Sequence, residues 1–166
     1  SKRPLLFLRD EVPKTGDRLR VGIAVDGSAY GEAATDYVLA HKDFFGADPD
    51  FRVLHVVRDY QTLVATTSVE YVMPTVTTEE FEKSTAEEFE KTVEPVLKRF
   101  EQADVPVQAE KLTGFASDAI AEYAKSELDI LVIGSHGYGN FKSAVLGSTA
   151  MHIAAECKVP LLVVRH

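Results

Sequence analysis

The chain has 166 residues, 45% hydrophobic and 27% charged, which excludes a disordered, collagen-like or low-complexity protein. A globule of this length buries on the order of 70% of its unfolded surface, so one domain can fold without disulfides or a structural metal. The formal charge of −8 argues against nonspecific binding to nucleic acid or anionic membranes, and neither is predicted as a partner. The single cysteine, Cys157, favours a cytoplasmic location.

Strand patterns alternate with helix patterns along the chain, which predicts parallel β-α-β units with right-handed crossovers. Near-continuous apolar segments are typical of parallel strands buried on both faces. We therefore predict a single α/β domain over residues 19–166, preceded by an N-terminal extension, residues 1–18. The predicted strands are residues 19–25, 51–57, 105–112, 128–133 and 160–164.

The predicted helices have recognisable starts and stops. Ser28 is expected to cap the first helix, and Gly46 to end it. A capping box, Thr77-x-x-Glu80, opens the longest helix. Pro95 lies within that helix and predicts a kink or a break.

The connection between the second strand and the longest helix, residues 58–76, contains no glycine and no periodic pattern. Nineteen such residues inside a compact domain are typical of a lid, a binding loop or disorder. We predict a flexible flap over this segment.

Two loops at the carboxyl ends of strands are the best candidates for a ligand site, because ligands of open parallel sheets bind there. The first is Asp26-Gly27-Ser28, and the second is the glycine-rich stretch 134–142, which leads to Gly147-Ser148-Thr149. Glycine permits close approach of the backbone, and a helix N-terminus suits phosphate. The residues alone leave two interpretations open: a phosphate cradle, or ordinary turn glycines with Ser148 as a helix cap.

The spacing G-x2-G-x9-G-[ST] at residues 134–148 follows a D-I-L-V-I strand and precedes P-L-L-V-V. Together with V-G-I-A-V-D-G-S and L-H-V earlier in the chain, it resembles the ATP-binding members of the universal stress protein family. The resemblance covers residues 19–165. It implies an open five-stranded parallel sheet, order 3-2-1-4-5, with helices on both faces.

The resemblance also implies residue roles and a ligand. It implies ATP, or AMP or ADP, as the ligand, accompanied by Mg or Mn. The residues themselves predict no metal site. The implied nucleotide site consists of Gly134, Gly137, Gly147, Ser148 and Thr149 at the phosphates, Asp26 at the ribose, Ala24, Val25 and Val56 beside the adenine, and Ile133 at the pocket floor.

Motifs of competing chemistry are absent from the sequence. It contains neither G-x4-G-K-[ST] nor G-x-G-x-x-G after the first strand, and its five histidines lack metal-ligand spacing. His136 is interpreted as a turn residue, with a phosphate contact as the alternative. His55 and Cys157 are interpreted as core residues. No water-positioning base or arginine finger for fast phosphoryl transfer is evident.

The predicted function is a nucleotide-responsive stress regulator rather than a fast enzyme. Two alternatives stay open: a slow ATPase in which Asp26 or His136 acts with a divalent metal, and a nucleotide-free dimerisation or signalling module. The last strand, residues 160–164, is apolar and is expected at a sheet edge, which needs a partner. The resemblance implies a homodimer through this strand.

Overall fold

A computed structural model describes residues 3–10, 16, 18–62, 77–137 and 146–166. Most of the predicted flap and the middle of the glycine-rich loop therefore lie outside the described residues. No helix in the described ranges is long and apolar enough to cross a membrane. In chain order the elements are β1 (Leu5–Phe7), β2 (Arg20–Ala24), α1 (Ala29–Ala40), a 3₁₀ turn (Lys42–Phe45), β3 (Asp50–Val57), α2 (Thr78–Gln102), β4 (Gln108–Thr113), α3 (Ala116–Glu127), β5 (Ile130–Gly134), α4 (Ser148–Glu156) and β6 (Leu161–Val164).

The parallel part of the sheet has the order β4-β3-β2-β5-β6. This is the predicted order 3-2-1-4-5, so the fold class is confirmed. Ala24 at the end of β2 pairs with Leu54 on one side and with Ile133 on the other. The chain order reverses between β2 and β5, which makes their carboxyl ends the switch point of the sheet.

A sixth strand, β1, pairs antiparallel with β6, with Leu6 opposite Leu162. The prediction that the last strand lies at a sheet edge is therefore wrong. Leu5 and Phe7 pack on the apolar cluster that β6 shares with α3 and α4. Because strand side chains alternate between faces, the first and third residues of this strand lie on the same face. Three apolar residues therefore suffice to place the side chains of Leu5 and Phe7 on that cluster.

The sheet separates two apolar clusters. Val53 packs with α1 and α2, where Phe100 is fully buried, whereas the next residue, Leu54, packs with α3 and α4. This alternation follows from the two-residue period of a strand. It places helices on both faces, as predicted.

Helix α2 begins at the predicted capping box. The Thr77 side chain accepts a hydrogen bond from the Glu80 backbone, and the Glu80 side chain accepts one from the Thr77 backbone. The helix continues through Pro95, so a break at that residue is excluded. Val93 and Val96 are buried on either side of the exposed proline, and their packing on the sheet maintains the helix.

Helix α1 ends earlier than predicted, at Ala40. A 3₁₀ turn follows, and it is this turn that Gly46 ends, at φ 100°. The turn places Phe45 in the core, 2% exposed, with its ring centroid 5.8 Å from that of Phe51. Burial of this aromatic side chain accounts for the change of helix type.

Candidate functional site

A cleft of about 290 Å³ lies at the carboxyl ends of β2, β3 and β5, between the sheet and helices α3 and α4. Its volume is near the lower end of the range for small-molecule pockets, roughly 300–1,000 Å³. The structure places every residue of the predicted nucleotide site on its walls: Ala24, Val25, Asp26, Val56, Ile133, Gly134, Gly137, Gly147, Ser148 and Thr149.

The floor of the cleft is apolar because three parallel strands end there. Ala24 and Ile133 are directly opposite in register, and Val56 lies on the neighbouring strand β3. Ile120 of α3 and Ile153 of α4 complete the apolar wall. Such a surface suits a flat, largely apolar ring.

The β2–α1 turn positions Asp26 at the cleft. Asp26 Oδ1 accepts a hydrogen bond of 2.9 Å from the backbone N–H of Ser28, and Gly27 adopts φ 84° between them. Ser28 is the N-cap residue, as predicted, but its side chain makes no capping bond. The short side chain of Asp26 forms the turn instead, which is common for aspartate.

Gly137 and Gly147 allow close approach of the chain around the glycine-rich loop. A Cβ atom at Gly137 would lie 2.5 Å from Asp26 Oδ2. A Cβ atom at Gly147 would lie 3.3 Å from the Cα of His136. The Gly147 N–H donates a 2.8 Å hydrogen bond to the Ser135 carbonyl, which ties the start of α4 to the end of β5.

Gly134 lines the cleft and also allows close approach, in this case to helix α1. A Cβ atom there would lie 2.7 Å from the carbonyl oxygen of Tyr30, so the absent side chain lets β5 approach the backbone of α1. Among the described glycines, positive φ occurs only at Gly27, Gly46 and Gly114. Close approach rather than left-handed backbone explains the described glycines of the loop.

His136, interpreted from the sequence as a turn residue, lies on the cleft wall. Its Nδ1 is 2.9 Å from the hydroxyl of Ser135, which is 2% exposed, and its ring centroid is 5.1 Å from that of Tyr30. These contacts orient the imidazole beside the loop.

His55 is a buried histidine with both ring nitrogens close to acceptors, which fits its interpretation as a core residue, although it also lines the cleft. Nδ1 is 2.8 Å from the Val25 carbonyl, and Nε2 is 3.3 Å from Glu88 Oε1. His55 therefore links the end of β2, where Asp26 follows, to helix α2.

Several lining residues were missing from the predicted site. They are Gly31, His55, Ala116, Ile120, His136, Ala150 and Ile153. Ile120 is an apolar residue of α3, and apolar character alone does not separate a cleft wall from the core. That distinction depends on how α3 packs against the sheet.

Asp26 is the only carboxylate among the described lining residues, and neither lysine nor arginine lines the cleft there. The positive potential on this wall comes from the N-terminus of α4, whose first residues are Ser148 and Thr149. In the described ranges no group of three or more His, Cys, Asp or Glu side chains is arranged to hold a metal ion.

The sheet order and the cleft at its switch point define an open α/β protein with a ligand-sized cleft at the carboxyl ends of its strands. The chain belongs to the universal stress protein family, whose family model matches residues 18–165.

Curated relatives carry the same family name. The chain is 33% identical over 75 residues to universal stress protein Slr1230 of Synechocystis sp., a match covering 45% of this chain and 25% of that protein. It is 31% identical over 87 residues to universal stress protein MJ0577 of Methanocaldococcus jannaschii, covering 52% and 54%. These matches thus span about a quarter to a half of the relatives' lengths.

Solved structures share the fold over most of the chain. The MJ0577 structure has a TM-score of 0.69 at 25% identity and covers 89% of this chain and 95% of that one. The Arabidopsis thaliana family member At3g01520, solved with AMP bound, has a TM-score of 0.60 at 16% identity, covering 89% and 92%. A universal stress protein in complex with cAMP has a TM-score of 0.57 at 17% identity, covering 89% and 96%.

Proposed function

We propose that the chain binds an adenine nucleotide, ATP with AMP or ADP as alternatives, and acts as a nucleotide-responsive regulator in a stress response. The observation that carries the proposal is the convergence of an apolar floor, the Asp26 carboxylate and the N-terminus of α4 on one cleft. These are the surfaces that a base, a ribose and a phosphate chain require.

The adenine is assigned to the floor formed by Ala24, Val56 and Ile133, with Val25 at its border. Burying an aromatic ring on this surface is favoured by the hydrophobic effect. The Asp26 carboxylate is the ribose contact, because a carboxylate accepts hydrogen bonds from hydroxyl groups. One of its oxygens already accepts a bond from the Ser28 backbone, and the other lies beside Gly137.

The phosphates are assigned to Gly134, Gly137 and the start of α4. Backbone N–H groups at a helix N-terminus bind anions, and the hydroxyls of Ser148 and Thr149 add donors. Mg or Mn is proposed to arrive with the nucleotide, since the described residues offer no metal-binding cluster of their own. The ion would neutralise phosphate charge.

The AMP-bound and cAMP-bound family members of the same fold support an adenine nucleotide as the ligand class. Slow ATP hydrolysis is the second candidate activity, favoured by the presence of both Asp26 and His136 on the cleft wall. Phosphate release at multiple turnovers, well above about one per minute, would favour hydrolysis as the function.

Mass spectrometry of small molecules released from the purified protein tests the ligand directly, and an adenine nucleotide is expected. In nucleotide-free protein, a ligand at 100 times its Kd stabilises the fold by about 2.7 kcal/mol. That corresponds to a rise of roughly 5 to 11 °C in Tm for a domain of this size. Mg-ATP should produce this shift and GTP a smaller one. No shift with any adenine nucleotide would contradict the proposal and favour a nucleotide-free module.

A homodimer through the last strand and a cytoplasmic location remain predictions. This dimer would require β1 to leave β6, because β1 covers the edge of β6 that a second copy would use.

A further inference from the structure

A second cleft lies between the β2–α1 turn and helix α2, near the face of the sheet that α1 and α2 cover. Its volume is about 380 Å³, within the range of small-molecule sites, roughly 300–1,000 Å³. Its walls are the turn itself, α1 at Glu32, and the part of α2 that carries Glu88, Lys91 and Val96. The nucleotide proposed above uses none of the side chains that α1 and α2 contribute here.

The hydroxyl of Ser28 indicates a ligand site in this cleft. Ser28 is 5% exposed, and among the described residues its Oγ has no hydrogen-bond partner. Its backbone groups are satisfied, since the N–H donates to Asp26 Oδ1 and the carbonyl accepts from the Gly31 N–H. A buried hydroxyl without a partner costs free energy. Because Ser28 lines the cleft and its hydroxyl turns about a single bond, a polar atom of a ligand can supply the missing partner.

Lys91 is a second group on the cleft wall that is free to bind a ligand. It is exposed on α2 and has no ion-pair partner in the part of the chain that the structure describes. By contrast, Lys98 of the same helix pairs with Glu94 at 2.7 Å. An ammonium group and a hydroxyl both donate hydrogen bonds to carboxylates. Ser28 and Lys91 together therefore suit the carboxylate of a small molecule.

The opposite charge on the wall comes from carboxylates, of which Glu88 has the most capacity left. Glu32 already pairs with Arg99 at 2.9 Å. Glu88 Oε1 lies 3.3 Å from Nε2 of His55, and Oε2 accepts no hydrogen bond from the residues that the structure describes. No three described His, Cys, Asp or Glu side chains are arranged to hold a metal ion, so an ammonium group suits these carboxylates better.

We propose that this cleft is a second binding site, for a free amino acid with an aliphatic side chain. The ligand carboxylate binds the Ser28 hydroxyl and the Lys91 ammonium, and the ligand ammonium binds Glu88. The aliphatic side chain packs on Pro95 and Val96, which line the apolar part of the wall. Charges at the two ends of the ligand then meet opposite charges on the wall, and burial of the side chain is favoured by the hydrophobic effect.

L-leucine is the probe, titrated calorimetrically into the nucleotide-free full chain, so the outcome is independent of the nucleotide proposal. Saturable binding of one leucine per chain is expected, with a Kd of about 1 mM or below, in a titration to about 10 mM. Isocaproate is leucine without the ammonium, and isoamylamine is leucine without the carboxylate. Each should bind at least about 10-fold more weakly than leucine, because a charge-assisted hydrogen bond is lost.

Matched variants of α2 test the location of the ligand. Lys91→Gln and Glu88→Gln should each weaken leucine binding at least about 10-fold. Lys83→Gln and Glu87→Gln remove the same charges from exposed positions of α2 that do not line the cleft, and should bind leucine as the parent does. Circular dichroism checks that each variant is folded. Equal affinity in the parent and Lys91→Gln, or for leucine and isoamylamine, overturns the proposal, as does the absence of saturable leucine binding.

Ser28→Ala separates ligand binding from a structural role. The variant removes a hydroxyl that has no partner in the described part of the chain and makes no capping bond, so the urea midpoint of the ligand-free protein should not fall. Leucine should bind about 3- to 10-fold more weakly. A lower midpoint without ligand would mean that the hydroxyl is already bonded within the protein, and parent-like leucine affinity would mean that it does not touch the ligand. Either result overturns the site.

Discussion

The carboxylate of Asp26 occupies the space that a side chain at residue 137 would need. A methyl group on Gly137 would lie 2.5 Å from Asp26 Oδ2. Asp26 lies on the β2–α1 turn and Gly137 on the loop after β5, which are the two loops that border the switch point. Because the obstructing atom ends a short side chain, the carboxylate rather than the backbone would move.

Gly137→Ala is therefore expected to displace the Asp26 carboxylate and weaken ATP binding at least about 10-fold, a loss of about 1.4 kcal/mol. The fold should be little affected, since among the described residues no backbone atom lies within 3.4 Å of the new methyl group. Isothermal titration calorimetry with Mg-ATP measures the change.

The matched control for this variant is Gly16→Ala, where a Cβ atom would meet no atom of the described part of the chain within 4 Å. It should bind ATP as the parent does. If Gly137→Ala binds equally well, the assignment of the ribose to Asp26 is wrong.

Gly134→Ala should lower the stability of the fold even in the absence of nucleotide. Its Cβ would lie 2.7 Å from the Tyr30 carbonyl oxygen and 2.8 Å from the carbonyl carbon, and backbone atoms of a helix cannot shift cheaply. Overpacking of this kind costs about 1–3 kcal/mol, which urea denaturation of the nucleotide-free protein would show as a lower midpoint. An unchanged midpoint would mean that α1 moves freely relative to β5.

Asp129→Ala should destabilise the fold at the opposite end of the sheet. The Asp129 carboxylate, in a residue 1% exposed, accepts hydrogen bonds from the Arg20 backbone N–H at 2.8 Å and from its guanidinium at 3.2 Å. Removing the carboxylate leaves the Arg20 backbone N–H without this acceptor and deprives the guanidinium, which is about a third exposed, of its ion pair, a loss of about 1–3 kcal/mol in free energy of unfolding. Asp129→Asn keeps an acceptor for the backbone N–H and should cost less. Equal losses in the two variants would contradict this account.

Cys157 should be unreactive in the native protein. Its residue is 2% exposed, and burial raises the pKa of the thiol above its ordinary value of 9.0, although a hydrogen bond with the Val159 backbone opposes the shift. Alkylation by iodoacetamide at about pH 8 should be at least 10-fold slower than in urea, because the thiolate is the nucleophile. Comparable rates would show that the thiol is accessible.

The same shift gives a pH dependence with a definite sign. The folded pKa of Cys157 is raised, so its contribution to stability is complete below the unfolded pKa near 9.0 and is lost as pH rises through the folded pKa. Urea titrations at about pH 8 and pH 10 should show a larger loss for the parent than for Cys157→Ala. A larger loss of stability in Cys157→Ala than in the parent would contradict the upward shift of the Cys157 pKa.

Much of the cleft was predictable from the sequence because of a general property of parallel sheets. All carboxyl ends meet at one edge, so the loops that hold Asp26 and Gly137 had to lie close together once their strands were identified. The spacing of the loop glycines and Ser148, through its family resemblance, supplied the strand order. The structure confirms that order and places the predicted residues on one cleft.

Side-chain roles within the cleft were less predictable. Serine is a residue type preferred at helix N-caps, yet at Ser28 it is the Asp26 side chain that makes the hydrogen bond forming the turn. Gly134 belongs to a phosphate-type motif, yet its missing side chain accommodates Tyr30 of α1. Both outcomes depend on where neighbouring backbone atoms lie, and sequence spacing carries no such distances.

Local periodicity and chain direction are enough to predict the alternation of strands and helices, the capping box of α2 and the loops that reach the cleft. The covering of the sheet edge, in contrast, depends on contacts between distant parts of the chain. Leu5–Phe7 is too short for a periodic signal, and its partner β6 is at the other end of the chain. Its pairing depends on an apolar cluster that exists only after the sheet and helices have assembled.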